Sequence, residues 1–522
     1  MSGRKTDRSQ HTSLIAKIGQ RADGSAGSAG ELGRLAMTVL QPGFEGTAPP
    51  DWLRRALAEG LGGVVLFARN IADPAQTAEL SAALRADNPE AIVAVDEEGG
   101  TVTRLEAGTG SSWPGNLALG VAGDVRLTER VARQIGRLVG AAGITLDYAP
   151  VVDVNADQLN PVIGIRSFGA DPEEVSRHAV AWINGLQGAG VAACAKHFPG
   201  HGATRSDSHL ELPTVEAPRE VLDLRDLPPF RAAIEAGVQA IMCGHLLVPA
   251  LDEVPATLSR AVLTGLLRDE LGFEGMLVTD AIEMRAVAAL HEPGEIAVRA
   301  LAAGVDAICV GRSSPGGESV YELRDAIVEA VREGRLAEER LAQAAGRVRR
   351  LARWHAAQAN ARAAAAADAD EGLGEAAAAA ALRMTGAAAR PVLRAAPLVV
   401  QISARLTEAV GPTVGSRRAG LAAAIAEILP GTLRAEIGEG DGLPDLAAAA
   451  GRPVVLAVHD AVRHAWMRRL VAEAVRARPD TVVVETGVPG PPAGAVYLAT
   501  HGDSAASMRA AARRLTGDAP AS

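Results

Sequence analysis

The sequence predicts an α/β protein: a (β/α)8 barrel of the TIM type followed by a smaller three-layer α/β sandwich. Three observations carry this. Eight short apolar, β-rich runs alternate with segments of helical period between about residues 34 and 311, the pattern of a parallel sheet. The span, roughly 280 residues, suits a barrel whose usual size is about 250. Five successive runs end in a charged or imidazole side chain; this has no packing rationale, but on a barrel those groups converge on the C-terminal mouth. An open doubly wound sheet is the alternative arrangement of the same elements.

The runs are 35–40, 63–67, 91–95, 144–152, 191–195, 240–243, 276–279 and 306–310, with helix-like segments at 51–59, 128–142, 172–188, 227–236 and 260–271 between them. The third ends in Asp96, the fourth in Asp153, the fifth in Lys196-His197, the sixth in His245 and the seventh in Asp280. The barrel is read over 31–353. Residues 354–391 turn alanine-rich, with runs at 363–367 and 376–381 flanking Asp368 to Glu371. They read as linker helices, because alanine has the highest helix propensity. Strand–helix alternation resumes over 392–516, with strands at 398–403, 453–459 and 481–485 and helices at 421–429 and 462–476. His459-Asp460 and Glu485-Thr486-Gly487, at strand ends of this second unit, are candidates to reach a ligand. Residues 1–30 are polar and rich in Gly, Ser and Arg, and are expected to be disordered; 517–522 reads as a tail.

Bulk properties narrow the function. A net charge of −10, with no basic patch interleaved with aromatics, argues against nucleic-acid binding. Aromatics make up 3%, so sugar-stacking platforms are few. The cysteines, Cys194, Cys243 and Cys309, lie in apolar runs without disulfide or metal spacing, and read as buried thiols of a reducing compartment. No apolar leader is visible, and no run nears the roughly 18 apolar residues of a membrane span. A cytoplasmic location without membrane partners is the expectation. No phosphate loop or dinucleotide fingerprint occurs, so no cofactor is expected. Oligomeric state stays open.

The most informative stretch is Lys196-His197-Phe198-Pro199-Gly200-His201-Gly202, followed by Asp207-Ser208-His209. It places titratable groups just beyond the fifth strand, where Gly200 and Gly202 permit a sharp turn. Asp207 beside His209 suits proton transfer near neutral pH; the alternative is an exposed loop histidine without a role. His197 and His201, four apart, superficially resemble a metal pair, but Pro199 and Gly200 forbid the helix that would align them. Lys196 and His197 read as donors to substrate hydroxyls, and His201 as shaping the loop. Asp280 is placed to attack an electrophilic carbon, bind a metal, or cap the segment 281–290. Asp96-Glu97-Glu98-Gly99-Gly100 with Arg104 is a second acidic strand end: Asp96 suits a pair of vicinal hydroxyls, and the three acids otherwise read as a solvated turn. Arg166 follows the fourth strand and suits a hydroxyl or carbonyl oxygen. Together these residues describe a pocket that reads hydroxyl groups.

On these motifs, together with residues 62–70, 148–155, 163–169 and 279–284, the chain resembles the family 3 glycoside hydrolases, and within them the NagZ-type β-N-acetylglucosaminidases. The resemblance spans about 35–350; the second unit is similar, with weaker motifs, to the sandwich that follows the barrel in many members. It implies Asp280 as nucleophile, His209 as acid/base assisted by Asp207, and Asp96, Arg104, Arg166, Lys196 and His197 as contacts to an N-acetylglucosamine unit. It implies no metal and no cofactor. Many family members take their acid from a glutamate of the second domain, whereas this branch uses the barrel histidine, which leaves the second unit a structural role. Glu97 departs from the branch, where glutamine is usual, and is expected to alter how Asp96 is held. The implied reaction is exo-hydrolysis of terminal β-linked N-acetylglucosamine from muropeptides, as in peptidoglycan recycling, or from chitooligosaccharides. A phosphorylase using the same site, a metal-dependent hydrolase built on His197, His201, His209 and Asp280, and a non-catalytic carbohydrate-binding protein are the competing readings.

Overall fold

The computed structural model describes residues 30–207, 211–386, 392–404, 420–446, 449 and 451–517. The disorder expected for the N-terminal segment and the tail falls outside these residues, apart from Gly30 and Gly517. Eight strands follow in the predicted order: β1 (Leu40–Pro42), β2 (Gly63–Leu66), β3 (Ile92–Val95), β4 (Leu146–Asp147), β5 (Ala192–Phe198), β6 (Ala240–Cys243), β7 (Met276–Thr279) and β8 (Ile308–Val310). β2 to β7 form one sheet in chain order, and β1 pairs with β8; every pairing is parallel. A bridge between Val278 and Ala307 joins β7 to β8. On the side of β1 toward β2, the N–H of Gly62, just before β2, donates to O of Met37 in the helix that leads into β1 (3.1 Å). The strands thus run around a barrel.

Val65, Ala94, Tyr148, Cys194, Met242 and Val278 pack inside it, and helix Glu338–Ala357 presses Val348, Leu351 and Trp354 into the same cluster. That helix plugs the N-terminal end of the barrel. At the start of β8 the fully buried Asp306 accepts from Arg268 (2.5 Å) and from Arg340 and Arg347 of the plug helix (2.5 and 3.2 Å). The outer helices are locally encoded. In Pro172–Gly188, Asp171 accepts from the N–H groups of Glu173 and Glu174, a proline opens the first turn, and two glutamates face the positive helix end.

Several strand expectations shift. Residues 35–40 were expected as a strand, but 30–38 are helical and β1 begins at Leu40; a short apolar run does not by itself separate the two. The run 144–152 yields only two strand residues, because Pro150 has no N–H to offer a ladder. Residues 261–270 wind as a π-helix. After Asp280 only Arg285–Ala288 is helical. β5 runs on to Phe198, so Lys196 and His197 sit on the strand and not beyond it.

The second unit is a six-stranded sheet of β9 (Arg383–Gly386), β10 (Leu398–Ile402), β11 (Leu433–Ile437), β12 (Val454–Val458), β13 (Val482–Glu485) and β14 (Val496–Ala499). Its order is β11-β10-β12-β13-β14-β9, with only β9 antiparallel. Helices Leu421–Ile428 and Ala505–Thr516 cover one face and Ala465–Ala477 the other. β9 lies within the stretch read as linker. The alanine runs there form helices Ala359–Ala366 and Leu373–Ala381, whose Ala377 and Ala381 are fully buried. Arg130 and Arg133 on helix Val125–Ala141 pair with Asp370 and Asp368 (2.7 and 3.2 Å). The stretch is packed structure, not a free spacer. The two units touch directly: Ala506 N–H donates to Ser111 O (3.3 Å), and Arg383 Nη2 to Val121 O (2.7 Å). Among the described residues no helix is long and apolar enough to cross a membrane.

Replacing Asp306 by Ala leaves the largely buried Arg268 without its carboxylate. Urea unfolding is expected to show a loss of about 3–5 kcal/mol; a loss within experimental error would contradict the brace.

Candidate active site

The barrel mouth opens into a cleft of about 1940 Å³ walled on its far side by the second sheet. Asp96, Arg104, Arg166, Lys196, His197 and Asp280 all line it. The structure therefore brings together six of the eight residues singled out for catalysis and binding. Asp207 is buried. His209 lies outside the described residues.

At the centre, Glu98 accepts two bonds from Arg166, Nε to Oε2 at 2.9 Å and Nη2 to Oε1 at 2.8 Å. Lys196 Nζ lies 2.8 Å from the same Oε1 and 2.6 Å from Asp96 Oδ1. Burial opposes ionisation of Glu98, but the two cations prevail and hold its carboxyl well below the usual range. Burial likewise opposes the charge on Lys196, yet Asp96 and Glu98 raise its ammonium above its ordinary value. Asp96 stands at the rim, with its side chain 21% exposed. The acidic strand end is thus no solvated turn, since Glu97 is fully and Glu98 almost fully buried.

A second carboxylate arranges the histidines. Asp153 receives His197 Nδ1 (2.8 Å) and the backbone N–H of His201 (2.6 Å). Burial would raise its pKa; the histidines beside it and the His201 N–H bring it below the usual range. His197 Nδ1 being occupied, Nε2 is its remaining polar atom. His201 is pushed down to about 4, chiefly by burial, and its Nδ1 meets Thr204 Oγ1 at 2.7 Å. It is a neutral brace in the loop, as expected. Gly202 is obligatory here, because an added Cβ would sit 1.9 Å from Val154 O. Gly200, at φ +127°, takes a backbone that other residues avoid.

Asp280 ends β7, its N–H bonded to Cys243 O (3.0 Å) and its Oδ1 accepting from Ala281 N–H (2.8 Å). His245, read from sequence as part of the mouth, is fully buried. It is a strut, with Nδ1 on Thr257 Oγ1 (2.8 Å) and Nε2 on Ala281 O (3.0 Å), and it fixes the turn that carries Asp280. Sequence reasoning gave Glu98 and Glu283 no individual role, and Asp153 only a place at the barrel mouth. Glu283 also lines the cleft, its pKa raised by burial. Its place three residues after Asp280 was the available signal.

Residues 46–351 match the family described as "Glycosyl hydrolase family 3 N terminal domain". The chain belongs to this family. It is 36% identical over 296 residues to "Beta-hexosaminidase A" of Pseudoalteromonas piscicida, covering 52% of this chain and 48% of that protein, so it spans about half the length of that relative. It is 40% identical over 263 residues to "Beta-hexosaminidase" of Pseudomonas aeruginosa (strain LESB58), covering 49% and 76%. The solved glycoside hydrolase family 3 β-N-acetylglucosaminidase of Paenibacillus sp. str. FPU-7 superposes with a TM-score of 0.82 at 34% identity, over 93% of this chain and 96% of that one. The second sheet is therefore part of the shared architecture.

Glu97 turns its carboxylate to the backbone that follows it. Its Oε2 accepts from the N–H groups of Arg104 and Leu105 (2.8 and 3.0 Å), and its own N–H donates to Asp147 Oδ1 (2.9 Å). Burial, offset by Thr103 and those N–H groups, pushes its pKa up to about 7. The unfolded chain ionises near the ordinary glutamate value, about 4.3, so the folded state loses stability as pH rises from there to about 7 and the cost is complete above it. Glu97→Gln keeps the acceptor without the charge. It is expected to match wild type at pH 4 and to exceed it by on the order of 1–3 kcal/mol at pH 8; a difference independent of pH would contradict this.

Proposed function

We propose that the protein is a retaining exo-β-N-acetylglucosaminidase. One observation carries the reading: Asp280, at the end of β7, lines the same cleft as the cluster of Asp96, Arg166, Lys196 and His197 from the exits of β3 to β5. The relatives named above, β-hexosaminidases and a β-N-acetylglucosaminidase, support the glycon.

In this reading the carboxylate of Asp96, with one oxygen on Lys196, accepts from adjacent sugar hydroxyls. Lys196, His197, Arg104 and Arg166 donate to the remaining oxygens of the ring and acetamide. Asp280 attacks the anomeric carbon as the bond to the leaving oxygen breaks, giving a glycosyl ester. Protonated His209, oriented by Asp207, gives its proton to that oxygen. Neutral His209 then takes a proton from water as water attacks the same carbon and releases Asp280, so the configuration is retained. The buried, unpaired cysteines support a reducing, cytoplasmic setting. The substrates that suit it are N-acetylglucosaminides from wall recycling or imported chitooligosaccharides.

Asp280→Ala is expected to lower kcat on an aryl N-acetyl-β-glucosaminide by at least about 10³-fold; full activity would exclude it as nucleophile. His209→Ala should slow a natural disaccharide by on the order of 10²–10⁴-fold and an aryl glycoside with a good leaving group far less; equal losses would exclude it as the acid. A neutral imidazole does not repel an anionic acceptor, so phosphate is the competitor to water. Product analysis is expected to give free sugar whether or not phosphate is present. Acceleration by phosphate with formation of sugar 1-phosphate would instead identify a phosphorylase.

A further inference from the structure

The second sheet forms one wall of the catalytic cleft, and the polar groups on that wall are built with unusual care. His459, Asp460, Arg463, Thr486 and Asp503 line it. They stand at or beyond the C-terminal ends of β12, β13 and β14, the edge at which parallel sheets present their binding groups. Asp460 and His501 are the two non-glycine residues with left-handed backbone among those described (φ 53° and 56°), a conformation that persists only where surroundings enforce it. For Asp460 those surroundings are visible. Glu485 Oε1 accepts its N–H (2.9 Å), its Oδ1 accepts from Val488 N–H (2.7 Å), and its Oδ2 accepts from Arg463 Nη1 (3.0 Å). Asp503 reaches across to the barrel, where Thr101 Oγ1 donates to its Oδ2 (3.4 Å). That contact pins the wall to the loop between Asp96 and Arg104.

His459 is held within this frame. Its Nδ1 bonds to Thr486 Oγ1 (3.0 Å), Nε2 lies 3.8 Å from Asp460 Oδ2, and the side chain keeps 27% of its surface exposed. Burial works against the cationic ring, but Asp460, Asp503 and Glu485 together hold its pKa above the usual value. It is thus an imidazole fixed at the cleft surface, opposite the barrel mouth. Among the described residues, the arginines that line this wall lie beside acids: Arg463 beside Asp460 and Arg434 beside Glu436. Paired charges around an oriented imidazole suit the hydroxyl and amide groups of a neutral sugar better than a carboxylate.

We propose that His459 binds the aglycone of the substrate, and that this aglycone is a neutral N-acetylated sugar. The cleft has room for it, since about 1940 Å³ exceeds the 300–1,000 Å³ of an ordinary small-ligand pocket. The proposal rests on the glycosidase reading above and gives the second unit a part in specificity, not only in scaffolding.

The test compares N,N′-diacetylchitobiose and N,N′,N″-triacetylchitotriose with an aryl N-acetyl-β-glucosaminide, in the full-length wild type, His459→Ala and His459→Gln. His459→Ala should raise KM for the oligosaccharides about tenfold more than for the aryl glycoside. His459→Gln, which keeps a polar amide able to donate or accept near the Nε2 position, should recover part of that loss. The wild type should prefer chitobiose to the disaccharide whose aglycone is N-acetylmuramate. Equal losses on both substrate types, or a fall confined to kcat on the oligosaccharides, would overturn the assignment of His459. A preference for the muramate disaccharide would overturn the neutral aglycone. Wild-type protein that leaves the aryl glycoside intact would sink the glycosidase reading itself, and this inference with it.

Discussion

The barrel mouth is organised by a single ion cluster, Glu98 clasped by Arg166 and Lys196. Taking such charges out of water costs several kcal/mol for each ion. The cost is offset because Arg166 binds in a fork and Lys196 is shared with Asp96. The three members come from the loop after β3, the loop after β4 and the body of β5, so the cluster ties three strand exits into one rigid surface. Asp96 rests on that surface with its charge partly facing solvent. Removing Glu98 would leave two buried cations, Arg166 and Lys196, repelling each other at the floor of the cleft.

Asp153 performs the parallel task for the imidazoles, and His245 for the turn that bears Asp280. Each is a buried polar group that holds a cleft-lining residue in place, Asp153 through His197 and His245 through Ala281. The opposite end of the barrel is closed by the plug helix through Asp306, so one end holds the fold together and the other is free for chemistry. The second sheet adds a fixed wall, held by Thr101 and by backbone contacts at Ser111 and Val121.

Most of the barrel was legible because strand and helix periods alternate in the sequence. The helix expected at 172–188 appears with those limits. Errors arose where an apolar run was too short to fix its period, as at 35–40, or where proline interrupted a strand, as at 144–152. β11 was missed because it is a half-exposed edge strand with Arg434 and Glu436 in it, and β9 because it hides behind alanine helices. The cleft-lining residues were found through their positions at strand ends. The residues that brace them were not, because a buried carboxylate that orients a neighbour has the same sequence signature as one on the surface. Glu98 looked like one acid in a charged turn, and His245 like a member of the mouth. Only the partners, distant in sequence, distinguish them.

The claim on which the account stands is that Asp280 becomes covalently joined to the sugar. Its most direct test is to incubate the protein with 5-fluoro-N-acetyl-β-glucosaminyl fluoride, which slows release of the ester, and to locate the label by peptide mass spectrometry. One added glycosyl group is expected, on the peptide containing Asp280. A label on another carboxylate, or steady turnover of N-acetylglucosaminides with inversion at the anomeric carbon, would contradict it.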